Sequence, residues 1–328
     1  MSKSVVCIAG MILVFASLHV GITFGNEEEM LRKNGAQLLS SISTKAPVRD
    51  LWVNNDGTLG AVAGKQILTK TDQGWLESLG DLRGSLTAGW GYAWDDAFVV
   101  STLGEIAHYD GKSLQTTHLH TSPLTDIWGL SPSNVFAVGF DGTILHYDGY
   151  RWSSMTSATM EHLQAVHGVS EKEVIAAGTN GVVLRYDGLV WSPLENAPMA
   201  TVETVWLAPT GEIIAAGSRG AIARFRAGLW TTFIVPTKNT FDSVAGISGD
   251  FALAVAPAEG AVFVLDDGKV TRFSELPEGV WGTCVAIGRN RTPVIAGALL
   301  SPAPPGPKPR MRQANTGIIL EFTTEVFQ

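Results

Sequence analysis

The sequence predicts an all-β protein: a single seven-bladed β-propeller with four antiparallel strands per blade. Three observations predict it. A unit of about 39 residues recurs from residue 46 to the C-terminus. Each unit holds four short apolar runs parted by Gly, Asn, Asp or Ser, as in 124–155 and again in 163–194. The runs have a period of two and are rich in β-branched and aromatic residues, a strand pattern and not a helical one. A period near 40 with four strands per unit belongs to a propeller blade, and seven units lie within the usual range of blade numbers.

One position near the start of each unit sets the frame. Trp52, Trp90, Trp128, His167 and Trp206 occupy it, at spacings of 38, 38, 39 and 39 residues. Ala245 and Ala286 fill it in two degenerate units, which complete the seven. Second strands follow as Asn134-Val-Phe-Ala-Val-Gly and Glu173-Val-Ile-Ala-Ala-Gly. Third strands follow as Thr143-Ile-Leu-His-Tyr and Gly181-Val-Val-Leu-Arg-Tyr. Asp110-Gly111, Asp148-Gly149, Asp187-Gly188 and Asp267-Gly268 stand between third and fourth strands, where Asp-Gly supplies the positive φ of a tight hairpin. Trp152, Trp191 and Trp230, just beyond, are expected to pack the outer strand onto its blade.

The chain ends depart from the pattern. In residues 1–25, Lys3 precedes an apolar stretch from Val5 to Gly25, which reads as a signal peptide. The expected location is therefore exported: periplasmic, in the cell envelope or extracellular. An uncleaved membrane anchor is the rival reading, because the stretch approaches bilayer-spanning length; membrane contact is expected only in that case. Cys7 lies in this segment, so Cys284 would be the one mature cysteine, buried and without an intrachain disulfide. In the N-terminal segment 26–45, Ala36–Ser43 falls in a fourth-strand slot and is a possible closing strand of the last blade. Val326-Phe-Gln offers a rival edge. A Pro-rich insertion, 300–316, separates the second and third strands of the last unit and carries Lys308, Arg310 and Arg312. It reads as a tolerated surface insertion or as a recognition arm on the loop face.

Composition narrows the function. The formal charge is −8, and losing Lys3 with residues 1–25 makes it −9. With no basic stripe, nucleic acid is not an expected partner. His118 and His120 are too few to hold a metal, and no metal or cofactor is expected. No Ser-His-Asp order, phosphate-cradling glycine loop, haem motif or zinc helix occurs. Asp141, Asn180, Arg219 and Glu259 occupy corresponding places just before the Gly that opens a third strand. They are expected to rim the channel mouth on one loop face, with the aromatic position beneath. That aromatic series is either a stacking ring for a sugar or protein, or a wedge between blades; packing on both faces of a blade favours the wedge.

Asp148-Gly-Tyr-Arg-Trp and Asp187-Gly-Leu-Val-Trp resemble degenerate Asp-box hairpins. Together with Val-Phe-Ala-Val-Gly and Gly-Thr-Ile-Leu-His-Tyr, they make the units resemble bacterial exported BNR-like and YVTN/WD40-like propeller repeats. The units are also similar to the propellers of photosystem II assembly factors. The resemblance covers about residues 46–328 and implies architecture more than activity. Sialidases share Asp-box propellers but use an arginine triad with a tyrosine nucleophile; Arg219, Arg224, Arg226, Arg289 and Arg291 are scattered by the repeat frame and do not match it. The expected function is a non-enzymatic binding platform for a protein partner or polysaccharide. The alternative is a carbohydrate-active hydrolase or lyase working at the channel mouth, since paired carboxylates brought together by a fold leave no linear trace.

Overall fold

The computed structural model describes residues 38–71, 74–79, 82–119, 122–235, 237–276, 280–288, 293–300 and 314–322. They form seven four-stranded antiparallel sheets, one per blade. Blade 1 comprises β2 (Val48–Val53), β3 (Leu59–Ala63), β4 (Gln66–Thr71) and β5 (Gly74–Leu79), after the separate β1 (Leu38–Thr44). Blade 2 is β6 (Leu86–Ala93), β7 (Asp96–Ser101), β8 (Glu105–Tyr109) and β9 (Leu114–His118). Blade 3 is β10 (Leu124–Ser131), β11 (Asn134–Gly139), β12 (Ile144–Tyr147) and β13 (Trp152–Met155). Blade 4 is β14 (Leu163–Ser170), β15 (Glu173–Gly178), β16 (Val183–Tyr186) and β17 (Trp191–Pro193). Blade 5 is β18 (Val202–Leu207), β19 (Ile213–Gly217), β20 (Ile222–Arg226) and β21 (Leu229–Thr232). Blade 6 is β22 (Ser243–Ser248), β23 (Phe251–Ala256), β24 (Ala261–Asp266) and β25 (Lys269–Glu275). Blade 7 joins β26 (Val280–Ile287), β27 (Pro293–Leu300) and β28 (Ala314–Phe322) to β1, in the order β1-β28-β27-β26.

First strands of neighbouring blades lie side by side, and β26 returns to β2, so they form the inner wall of a closed ring. The core is divided among the seams of this ring. Seven hydrophobic clusters each draw on two adjacent blades. In β11, Val135 and Ala137 enter the cluster shared with blade 2, while Phe136 and Val138 enter the one shared with blade 4. All four are fully buried. The period of two is therefore present in β11 as an alternation between two cores, not between core and solvent. Apolar–polar alternation fails in the second strands because both of their faces are covered.

The outer strands are held by the predicted tryptophans. Trp152 meets Tyr147 at 5.3 Å between ring centres and stands edge-on to Phe98 of blade 2 at 6.0 Å. Trp191 repeats this with Tyr186 and Phe136. The third-strand histidines have cross-strand partners: His108 Nε2 lies 2.7 Å from Asp96 Oδ1, and His146 Nε2 lies 3.2 Å from Asn134 Oδ1. Arg185 pairs with Glu173 at the same place in blade 4.

The turn chemistry differs from the expectation at three of the four Asp-Gly sites. Asp267 and Gly268 both have positive φ, 42° and 79°, as a two-residue hairpin demands. At the others only the glycine does. Asp148 Oδ1 instead accepts the amides of Tyr150 and Arg151, both at 2.9 Å, and so nucleates a longer turn by side-chain capping. Asp187 and Asp110 do the same.

Ring closure uses both chain regions. β1 pairs antiparallel with β28, with Ser41 opposite Leu320 and Thr44 opposite Gly317. The insertion is shorter than the sequence suggests, because Leu300 pairs with Ala314 and both strands extend into it. Residues 301–313, with Lys308, Arg310 and Arg312, lie outside the described residues, as do residues 1–37 and the rival edge at Val326. Cys284 is buried, its Sγ 3.6 Å from the Ala296 carbonyl, and burial pushes its thiol pKa up.

Deleting residues 1–44 is expected to leave β28 as an unpaired edge, a template for aggregation. At roughly 0.5–1.5 kcal/mol per lost ladder bond, the loss should reach about 3 kcal/mol. Light scattering and thermal melts of chains starting at residues 38 and 45 test this. Equal stability and monomeric behaviour of both would contradict it.

Candidate binding face and the inner ring

The turns joining second and third strands sit at one end of every blade, where first strands begin. Each is a bridge. The Phe140 amide donates to the Pro123 carbonyl, at the entry of its own first strand, and the Gly142 amide donates to the Glu161 carbonyl, at the entry of the next. Thr179 and Gly181 repeat this with His162 and Ala200. Ser218 follows with Thr201. The turns thus form a collar around the entries of the innermost strands.

Asp141, Asn180 and Arg219 share one backbone state within that collar, with φ of 57°, 53° and 61°, and all three are exposed. Each is followed by a left-handed glycine, and the tandem pair turns the chain outward. A Cβ on Gly142 would lie 2.1 Å from the Thr159 carbonyl oxygen, so the turn seats directly on the neighbouring connection. Glu259 departs from the set. The ladder runs further there, with Ala256 opposite Ala261, which leaves a four-residue turn opened by Pro257 in which Gly260 alone takes the left-handed state.

Three of the four side chains are held by the connection entering their own blade. Asp141 Oδ2 accepts from Ser122 Oγ at 2.8 Å, while its amide donates to His162 Nδ1 at 3.1 Å. The His162 ring stacks on Phe140 at 4.3 Å. Asn180 and Thr179 both donate to Glu161 and hold its carboxyl below the usual range. Glu259 Oε1 accepts from Thr237 and from Asn239 Nδ2. Ser122, Glu161 and His162 escaped the sequence reading, because the connections that carry them vary in length and have no fixed place in the repeat.

A groove of about 690 Å³ opens beside Asp141. Its lining runs from Asp141–Ile144 to Ser154–Met160, with Ser122 at one side. Six of the lining residues are Ser or Thr and two are Met, more of the surface is apolar than polar, and Asp141 is the one carboxylate among the lining residues. The arrangement offers hydrogen-bond donors and acceptors set into a mainly apolar surface. Ser122, Asp141 and His162 do not form a nucleophilic triad, because the carboxylate and not the imidazole receives the hydroxyl proton.

The aromatic series lies in the seams, about midway along the first strands and not at the mouth. Each ring crosses to a glycine of the next blade. A Cβ on Gly89 would come within 2.5 Å of the Trp52 ring, on Gly129 within 2.8 Å of Trp90, on Gly168 within 2.6 Å of Trp128 and on Gly246 within 2.3 Å of Trp206. His167 faces Leu207 in place of a glycine, and its Nδ1 accepts the Leu207 amide at 3.1 Å. Trp52 Nε1 donates to the buried Asn54 at 2.8 Å.

Polar groups reinforce the same seams. A bulge at the start of most first strands frees an amide from the ladder. Asp50 accepts two such amides, from Leu51 at 2.8 Å and from Gly89 of blade 2 at 2.9 Å. Asp126 likewise joins Ile127 to Val166 of blade 4. Thr204 and Ser243 each accept one from the next blade. Thr87, Thr125 and Thr283 donate to a first-strand carbonyl of the next blade. Burial, then the field of Asp50, pushes the Asp126 carboxyl up to about 8. Burial pushes the His167 imidazole down to about 4, which keeps Nδ1 an acceptor.

No protein-family model matches the chain, and no curated protein matches it in sequence. Solved propellers match it in fold. The WD40 β-propeller domain of Doa1 superposes with a TM-score of 0.70 at 13% identity, covering 88% of this chain and 97% of that one. YCF48 bound to a D1 peptide gives 0.66 at 14% identity, covering 87% and 94%. Virginiamycin B lyase from Staphylococcus aureus gives 0.71 at 9% identity, covering 87% and 99%.

Gly129→Leu should drive a side chain into the Trp90 ring and cost about 1–3 kcal/mol. Combining it with Trp90→His transplants the His167–Leu207 pairing, and a double-mutant cycle in urea should show a favourable coupling of about 1 kcal/mol or more. Strict additivity would contradict the wedge.

The two shifted groups predict opposite pH effects. The proton of Asp126 is held more tightly in the fold than at its ordinary value of 3.8, so its stabilisation is complete below pH 3.8 and is lost as pH rises towards 8. His167 is the reverse: its contribution is complete above pH 6.5 and is lost as pH falls towards 4. Urea midpoints across this range should flatten on the alkaline side in Asp126→Asn and on the acid side in His167→Asn. Unchanged profiles would contradict both assignments.

Proposed function

We propose that the chain is a non-enzymatic platform that binds a protein partner or a glycan, acting as an exported BNR-like propeller in the cell envelope or outside the cell. The observation that carries this reading is the collar. It presents Asp141, Asn180, Arg219 and Glu259, two carboxylates, an amide and a guanidinium, at corresponding turns on one face. The turns are stiff, so a partner meets preorganised groups and loses little freedom in ordering them. The adjoining groove has the hydroxyl-rich lining that suits polar recognition.

The alternative, a hydrolase or lyase at the mouth, requires convergent acids about 5–9.5 Å apart. Asp141 has no second carboxylate in its groove lining. Asp50 and Asp126 influence one another, but each spends both oxygens on backbone amides of the ring wall. They are seam fasteners in this reading. Binding of a D1 peptide by YCF48 and the lyase activity named for the Staphylococcus protein are properties of those proteins, and the platform reading rests on the collar.

A pull-down with the chain starting at residue 26, run beside a glycan array, tests the proposal. Asp141→Ala combined with Arg219→Ala should weaken the captured interaction about tenfold, the scale of an interface residue worth more than 1 kcal/mol, without moving the melting temperature. Replacing 301–313 by a four-residue connection should weaken it further if Lys308, Arg310 and Arg312 contribute. Binding indifferent to all these changes would refute the collar as the site.

A further inference from the structure

The opposite end of the ring has a different character. It is built by the turns between first and second strands and between third and fourth strands, which antiparallel alternation brings together. They touch within a blade: a Cβ on Gly149 would lie 2.8 Å from Ser133 Cβ, and one on Gly188 would lie 2.6 Å from Lys172.

Large apolar side chains stand on these turns. Tyr150 is 93% exposed, Leu189 83% and Leu229 72%. All three lie one or two residues before the outer-strand tryptophan of three consecutive blades. An inner tier follows nearer the axis, where Tyr92, Trp94 and Leu130 are also exposed. The inner tier is anchored, since the Tyr92 carbonyl accepts from Asn55 at 2.9 Å and the Trp94 amide donates to Asp56. Scattered exposed apolar residues are ordinary, but two tiers of them gathered on one face mark an interaction surface.

Acidic groups stand beside two of the three outer tips, while Arg226 lies opposite Leu229 at the third. Asp110, Asp148 and Asp187 recur at one turn position, and the backbone amides they accept hold their carboxyls below the usual range. Exposed Asp95 and Glu171 stand on the adjacent turns. Lys112, Arg151 and Lys172 offset part of this charge, and the whole chain is acidic.

We propose that this face docks a protein segment that presents apolar side chains together with lysine or arginine. Apolar tips on stiff hairpins would fill between such side chains, and the fixed carboxylates would meet the cations and set the orientation. The surface lies at the other end of the blades from Asp141, so it stands independently of the platform reading above.

The test uses the chain from residue 26 and synthetic peptides, with fluorescence anisotropy as readout. The probes are an amphipathic leucine–lysine peptide, a leucine–glutamate peptide of the same pattern and a serine–lysine peptide. The leucine–lysine peptide should bind, and the other two should bind at least about tenfold more weakly, as loss of a central anchor or of charge complementarity implies. Combining Tyr150→Ser, Leu189→Ser and Leu229→Ser should weaken the leucine–lysine peptide about tenfold while the melting temperature holds. Asp148→Asn with Asp187→Asn keeps the Oδ1 acceptors of the turns, and should weaken binding and flatten its salt dependence. Equal affinity for the leucine–glutamate peptide, or indifference to both sets of substitutions, would overturn the proposal. Tip-dependent binding to phosphatidylcholine vesicles in place of the peptide would overturn it too, in favour of a lipid surface.

Discussion

The contact between neighbouring innermost strands governs the rest of the molecule, and it follows a rule of volume. Where one blade places Trp52, Trp90, Trp128 or Trp206, the next places Gly91, Gly129, Gly168 or Gly246 after its own frame position. Where the next blade has Leu207, the facing residue shrinks to His167. Where it has Ile287 or Val53, the frame residue is Ala245 or Ala286, and these meet in the shared cores of blades 6–7 and 7–1. Large answers small at all seven seams. Interiors packed to crystal-like density tolerate neither voids nor overlap, so each substitution in the series is constrained by its neighbour. Asp50, Asp126 and the threonine clasps add direction to this fit by tying the backbone of one blade to the next.

A ring locked from within leaves its two ends free to vary. Backbone bonds of the turns brace neighbouring blades at both ends, but the exposed side chains there do not fill the seams and can change while the scaffold stands. The two ends use that freedom differently. One collects hydroxyls, a groove and mixed polar groups around Asp141; the other collects aromatic and aliphatic tips and carboxylates. Two chemically distinct faces on one body accord with the way binding sites are grafted onto common folds.

The legible and illegible parts of the chain divide along physical lines. Blade number was readable because the wedge residue and the outer-strand tryptophan recur in a local frame, and local recurrence survives in a linear string. The period of two was legible, but which core each face enters was not: in a blade both sheet faces are core, so Val135 and Phe136 are equally buried in different seams. Asp148 and Asp187 look like two-residue hairpin turns, yet capping by their own carboxylates makes longer ones. The common turn position of Asp141, Asn180 and Arg219 was legible from the repeat frame, but their partners Ser122, Glu161 and His162 sit on connections with no such frame. The aromatic series was visible as a position, and its glycine counterparts become meaningful only once one blade is laid against the next. The bridging role of Asp50 and Asp126 did leave a trace, an aspartate two residues before the tryptophan in both units.

Seams that interlock in this way should make the seven blades a single cooperative unit, unlike a solenoid whose repeats open separately. Native-state hydrogen exchange with increasing urea measures this directly. Amides in the ladders of β2, β6, β10, β14, β18, β22 and β26 should converge on one opening free energy, with one common urea dependence. Distinct opening energies for individual blades, or early opening of blades 3 and 4 while blades 6 and 7 stay protected, would contradict the account.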